Sequence, residues 1–389
     1  MKADPVTEAS IYRVSQWGVL LASVLLCAPS CLLSAQAISS EQALTFARQG
    51  DWKHAAAAWQ QVLERNPRDA SASANLGLAL ARERDYPGAV KAYRRALQLG
   101  SHVQGLQLNL GLALFRQGQL EQAVEPLKAA AAADPASVQP RALLGMSYYG
   151  IGRFGEAIPY LRFAVDKSPE NPEIRGVLAQ ACLAAKQYNC TLEEYRQIVL
   201  THPDSAQAHM LAGEAMDGLN RSADAIAEFQ AAVKAAPSEP NVHFGLGYLY
   251  WKQHRYQEAA AELRLELENV PNQAQALAYL GDAEIKLEQQ AQAAADLERA
   301  VKAPGALRMA WVDLGIVLAG EGKNEEAATD FHRAIELDPN VVDAHWRLAR
   351  LYLAEGKKRE AQAEFAKASA LHRKEDATLA SQLAVPSPQ

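Results

Sequence analysis

Small and large apolar positions recur along this chain in a register that repeats every 34 residues. Ala43, Gly77, Gly111, Gly145, Ala179, Gly213, Gly247, Gly281, Gly315 and Ala349 stand 34 apart, and all are small. Twelve residues further on, Ala55, Ala89, Ala123, Ala157, Thr191, Ala225, Ala259, Ala293, Ala327 and Ala361 form a second column, alanine in nine cases of ten. Two helices cross closely only where neither side chain obstructs, so both columns mark crossing points. Four residues after each of these comes a large apolar residue: Trp59, Tyr93, Leu127, Leu161, Tyr195, Phe229, Leu263, Leu297, Phe331 and Phe365. Three beyond that lies another apolar column, Val62 and Ala96 through Ile198 to Ala368, broken only by Glu266. Steps of four and three keep these positions on one face of a helix, and a strand would need alternation by two.

Proline punctuates the pattern. Pro67, Pro135, Pro169, Pro203, Pro237, Pro271 and Pro339 share one register position, filled otherwise by Ser101, Gly305 and Arg373. Proline lacks an amide donor and restricts the residue before it, so a helix stops there. Within each unit Gly50, Gly118, Gly152, Gly322 and Gly356 mark a turn between two helices. The spacing therefore predicts about ten helical hairpins over residues 38–375. Pro126 and Pro159 fall inside second helices and predict mild kinks. Repeat five, with Ala179, Cys182 and Thr191, is the least regular. Residues 376–389 read as a short capping segment, 377–384, and a disordered Val-Pro-Ser-Pro-Gln tail.

The order of the small, alanine, aromatic and proline columns resembles the tetratricopeptide repeat, over nearly all of the chain after residue 36. That resemblance implies an all-α, right-handed superhelical solenoid whose first helices line a concave wall. It also implies ligand-facing residues at spacings of four then three. Those sets read Ala74, Leu78, Ala81; Leu108, Leu112, Phe115; Ala142, Met146, Tyr149; Met210, Glu214, Asp217; Phe244, Tyr248, Trp251; and Ala278, Asp282, Ile285. The wall is thus apolar in repeats two to four and most aromatic in repeat seven; Met210, Glu214 and Asp217 lie between them and Ala278, Asp282 and Ile285 after them, so the middle of the groove is acidic. Asn75 and Asn109 occupy the place where the family's asparagines clamp an extended ligand's backbone, a role suited to an amide that both donates and accepts. The Lys-x-x-x-Asn and Lys-x-x-x-Arg pairs that hold a terminal carboxylate in chaperone-binding members are absent. Tyr149 and Trp251 also suit packing between adjacent repeats. Two apolar subsites flanking an acidic one would fit an amphipathic helix or extended segment with a basic centre.

Composition adds exclusions. The 389 residues are 49 % hydrophobic and 22 % charged, with a net charge of −6. There is no overall basic excess to neutralise nucleic-acid phosphates. Gly150-Ile-Gly-Arg-Phe-Gly155 matches a dinucleotide-binding fingerprint by letter, but a helix precedes it where that motif needs a strand, so its glycines serve a turn. His209, His243 and His345 share a register position, yet neighbouring repeats stand about 10 Å apart, too far to share a metal whose ligands lie near 2 Å. No metalloprotease, paired-cysteine or nucleophile-elbow pattern occurs. The reading is of a non-enzyme without cofactor or metal, binding other proteins as a scaffold.

The first 37 residues differ. Lys2 and Arg13 precede an apolar run from Trp17 to Leu33 and a Ser34-Ala35-Gln36-Ala37 ending, the pattern of an export signal cleaved after Ala37. An uncleaved membrane anchor and lipidation at Cys31 are the alternatives, with a role in envelope assembly. A third alternative is the recognition subunit of a separate enzyme. The expected location is periplasmic or at the cell envelope. Cleavage would leave two cysteines, Cys182 and Cys190, eight residues apart. They read as a disulfide between two helices of one hairpin or as two buried thiols.

Overall fold

A computed structural model describes residues 39–383, and these contain twenty helices and no strand. They pair as hairpins in chain order: α1 (Ser40–Arg48) with α2 (Trp52–Arg65), α3 (Ala70–Arg82) with α4 (Tyr86–Gln98), α5 (Leu106–Arg116) with α6 (Leu120–Ala133), α7 (Val138–Gly150) with α8 (Phe154–Lys167), and α9 (Pro172–Ala184) with α10 (Tyr188–Thr201). The second half continues with α11 (Ala206–Gly218) and α12 (Ser222–Ala235), α13 (Val242–Lys252) and α14 (Tyr256–Asn269), α15 (Ala274–Lys286) and α16 (Gln290–Lys302), α17 (Arg308–Gly320) and α18 (Asn324–Leu337), and α19 (Val342–Ala354) and α20 (Lys358–Leu383). Each helix packs on the next, and from α3 onward successive first helices also touch one another. First helices therefore build one continuous wall, with second helices behind them, as a helical-repeat solenoid requires.

The two small columns are where the hairpins close. Ala55, Ala89, Ala123, Ala157, Ala225, Ala259, Ala293 and Ala327 have no exposed surface at all. A Cβ added to Gly77, Gly111, Gly145, Gly213, Gly247, Gly281 or Gly315 would come within 2.5–2.9 Å of the side chain sixteen residues ahead. That side chain is the large apolar residue of the same repeat, so Tyr93, Leu127 and Phe331 lie flat on bare backbone. Burying each such side chain contributes about 1.5–3 kcal/mol.

Every hairpin turn places one residue in the left-handed region, at the same register position. Gly50, Gly118, Gly152, Gly322 and Gly356 hold it at φ near 77°, and Arg84, Lys186, Asn220, His254 and Glu288 hold it at 58–63°. Sequence alone flagged only the glycines, because the other five carry side chains that this conformation strains. Asp51, Asp69 and Asp85 cap the helices that follow them by accepting the amides of His54, Ala72 and Gly88.

Repeat five turns its irregular residues on each other. The Thr191 hydroxyl donates to the Ala179 carbonyl at 3.4 Å, and Cys182 is joined to Cys190 by a disulfide. Of the two readings of that cysteine pair, the structure takes the bridge. Helices α6 and α8 run unbroken through Pro126 and Pro159. The capping segment at 377–384 is not separate: α20 continues from Lys358 to Leu383, since Arg373 stands where proline ends other second helices. No helix of the described residues is long and apolar enough to cross a membrane, and the apolar run 17–33 with its cleavage site lies outside them, as does the tail beyond 383.

Candidate functional site

The inner wall divides into two stretches. On α3, α5 and α7, Asn75, Leu78, Asn109, Leu112, Phe115, Met146 and Tyr149 are all half-buried. Leu112, Phe115, Met146 and Tyr149 lie against one apolar core that runs through the N-terminal half. Tyr149 also donates its hydroxyl to Gln180 at 3.0 Å, so this ring ties α7 to α9. Among the described residues the side-chain amides of Asn75 and Asn109 have no hydrogen-bonding partner, so each keeps a donor and an acceptor unused.

The second stretch is a concavity of about 540 Å³ between α11, α13 and α15. It gathers Glu214 and Asp217 from α11, Phe244 and Tyr248 from α13, and Tyr279 from α15, with Met210 at one side. The rings interlock: Tyr248 meets Tyr279 edge-on at 5.4 Å between centroids, Trp251 meets Tyr279 edge-on at 4.8 Å, and Phe244 lies 6.0 Å from Tyr279. Edge-to-face pairs of this kind are each worth about 0.5–1.5 kcal/mol beyond the area they bury. Tyr279 was not singled out from the sequence, although it stands in the same register position as Asn75 and Asn109. Asparagine at that position in repeats two and three points to backbone clamping and carries no signal for a ring.

Charge at this concavity is narrower than the sequence suggests. Asp217 accepts the Lys252 ammonium at 2.8 Å. Asp282 accepts the indole N–H of Trp251 at 2.6 Å and faces Lys286 at 3.8 Å. Of the three acids, only Glu214 stands without an ion pair among the described residues; the residue is exposed, and partial burial of its carboxyl raises it above the usual range. Burial raises the Tyr279 phenol too, with smaller contributions from Tyr248 and Asp282, so it stays neutral.

Glu266, the polar break in an otherwise apolar column, is fully buried and reaches from α14 to the start of α13. Its two oxygens accept the backbone amides of Asn241 at 2.8 Å and Phe244 at 3.1 Å. Pro240 and the left-handed Asn241 leave α13 without a side-chain cap of its own, and a carboxylate at a helix amino terminus satisfies both the amides and the dipole. The histidine column is likewise structural. Nδ1 of His209, His243 and His345 donates to Glu228, Glu262 and Glu364 at 2.7, 2.6 and 2.5 Å, each within its own repeat. Arg175 pairs with Glu194 in the same place at 2.6 Å.

Stacked hairpins with a lined inner wall define a helical-repeat binding solenoid. Profiles described as tetratricopeptide repeat match residues 40–138, 150–307 and 318–383, and the chain belongs to that family. Arrays of this family are in general protein-interaction scaffolds. A tetratricopeptide repeat protein from Parabacteroides merdae is similar in structure at 20 % identity, covering 64 % of this chain and 97 % of its own, with a TM-score of 0.50. MamA from Desulfovibrio magneticus is 24 % identical over 43 % of this chain and 95 % of its own, at 0.40. YrrB, described as a tetratricopeptide protein with an unusual peptide-binding site, is 23 % identical over 48 % of this chain and 97 % of its own, at 0.41. No curated protein matches the sequence.

Proposed function

We propose that this chain is a non-catalytic adaptor of the periplasm or cell envelope that holds a segment of a partner protein along its inner wall. The observation that carries this is the concavity between α11, α13 and α15, where the rings of Phe244, Tyr248 and Tyr279, with Trp251 packed behind them, stand beside the unpaired Glu214. An apolar wall with one uncompensated acid complements a segment that presents an aliphatic or aromatic anchor next to a single Lys or Arg. The free amides of Asn75 and Asn109 suit the backbone of an extended ligand further along the wall. Export is supported by the leader-like sequence before residue 38 and by the Cys182–Cys190 bridge, since disulfides persist in oxidising compartments.

Peptide-array binding of the wild type against Phe244→Ala/Tyr248→Ala and Glu214→Gln tests the groove. The first variant should lose binding broadly, and the second should lose preference for sequences with a basic residue beside the anchor. Unchanged binding in both removes the assignment. The N-terminal mass of the natively purified protein tests export: Ile38 as first residue supports cleavage, a lipidated Cys31 or an intact Met1 the anchored alternatives.

A further inference from the structure

The net charge of −6 conceals a division along the rod. Residues 39–118 hold ten Lys and Arg against six Asp and Glu, a net +4, whereas residues 119–389 hold 27 against 37, a net −10. Arg48, Arg82 and Arg116 occupy one register position at the end of three successive first helices, so they climb a single edge. The same position carries Lys252 and Lys286 further along, and there each faces an acid, Asp217 at 2.8 Å and Asp282 at 3.8 Å. At the N-terminal end no carboxylate among the described residues stands within ion-pair distance of Arg48, Arg82, Arg116, Arg84, Lys91 or Arg94, and all six are exposed. Lys91 and Arg94 also line, with Arg95, a shallow hollow of about 600 Å³ on the outer helix α4.

We propose that this basic end of the solenoid docks on an anionic lipid surface, independently of the groove. The cations spread over one edge and one outer helix of three consecutive hairpins, an open area that matches a plane of headgroups better than a peptide. Each basic residue near an anionic leaflet adds an attraction that falls off within a Debye length.

Hydrogen exchange of the full chain with phosphatidylcholine vesicles, and with vesicles of about one-third phosphatidylglycerol, tests the proposal. The expected result is protection over residues 82–95 and around residues 48 and 116 on anionic vesicles alone, lost in salt of about 0.5 M. In the Arg84→Glu/Lys91→Glu/Arg116→Glu variant, whose altered side chains make no polar contact in the fold, partitioning should fall at least tenfold with the melting curve unchanged. An equal footprint on both vesicles, or a variant that binds as the wild type does, overturns it. So does protection of the same turns that grows with protein concentration without lipid, which would assign the surface to the acidic part of a second copy.

Discussion

Glu266 fixes the position of Phe244 through the backbone, its carboxylate accepting the Phe244 amide at 3.1 Å from a neighbouring helix. Alanine is the residue most repeats carry at this register position, so a repeat consensus would favour Glu266→Ala. The structure gives the opposite sign. Removing the carboxylate strands two amides at a part-buried helix start, at about 1–3 kcal/mol for such unsatisfied groups. Glu266→Ala should therefore lower stability by about 2 kcal/mol in urea titration and weaken peptide binding at the Phe244 concavity. A change below about 0.5 kcal/mol would show the cap to be dispensable.

The close contact of first and second helices gives a second expectation. In Gly315→Ala the new methyl would stand 2.6 Å from the Phe331 ring, which is 2 % exposed, so the ring or the helix must shift. Overpacking of this kind costs about 1–3 kcal/mol, and the thermal midpoint should drop accordingly. Gly155→Ala, where nothing lies within 4 Å of the added carbon, is the control and should hold or gain stability.

The difference between these sites marks how far the sequence could be read. The 34-residue columns located every hairpin because each column answers a packing demand that recurs identically: Gly77 under Tyr93 and Gly281 under Leu297 solve the same problem. The groove was legible only as a set of positions. Which of them converge depends on pairings that occur once, such as Tyr279 entering beside Trp251, or Lys252 neutralising Asp217. Glu266 was visible as an anomaly, but its cause lies in Pro240 and Asn241, in a loop outside its own column.

Turn strain supplies a third test. Glu288 sits at φ 61° in the position that five repeats fill with glycine. Its cost is about 1 kcal/mol or slightly more, offset in part by the greater chain entropy glycine releases on unfolding. Glu288→Gly should raise stability by about 0.5 kcal/mol, and Gly152→Ala, at φ 78°, should lower it by about 1 kcal/mol. Denaturant midpoints for the two variants should move in opposite directions.

Asp313 gives the fold a dependence on pH. It lies on α17, 7 % exposed, with Oδ2 buried and unpartnered. Burial first, then the nearby Asp282 carboxylate, push its carboxyl up to about 7, against the smaller opposing pull of Lys286 and Arg347. The unfolded carboxyl titrates near 4, so between pH 4 and 7 the folded chain holds a proton that the unfolded chain has released. Stability must then fall as pH rises through that window and level off above it, by on the order of 3 kcal/mol. Asp330, pushed to about 6 by burial and by Glu326 and Glu298, acts in the same direction. Asparagine cannot ionise, and it occupies this register position in repeats two and three as Asn75 and Asn109. Asp313→Asn should therefore raise the urea midpoint strongly at pH 8 and little at pH 4, flattening the pH profile. Equal gains at both values would mean that Asp313 is already ionised in the folded chain at low pH, and would remove the titration account.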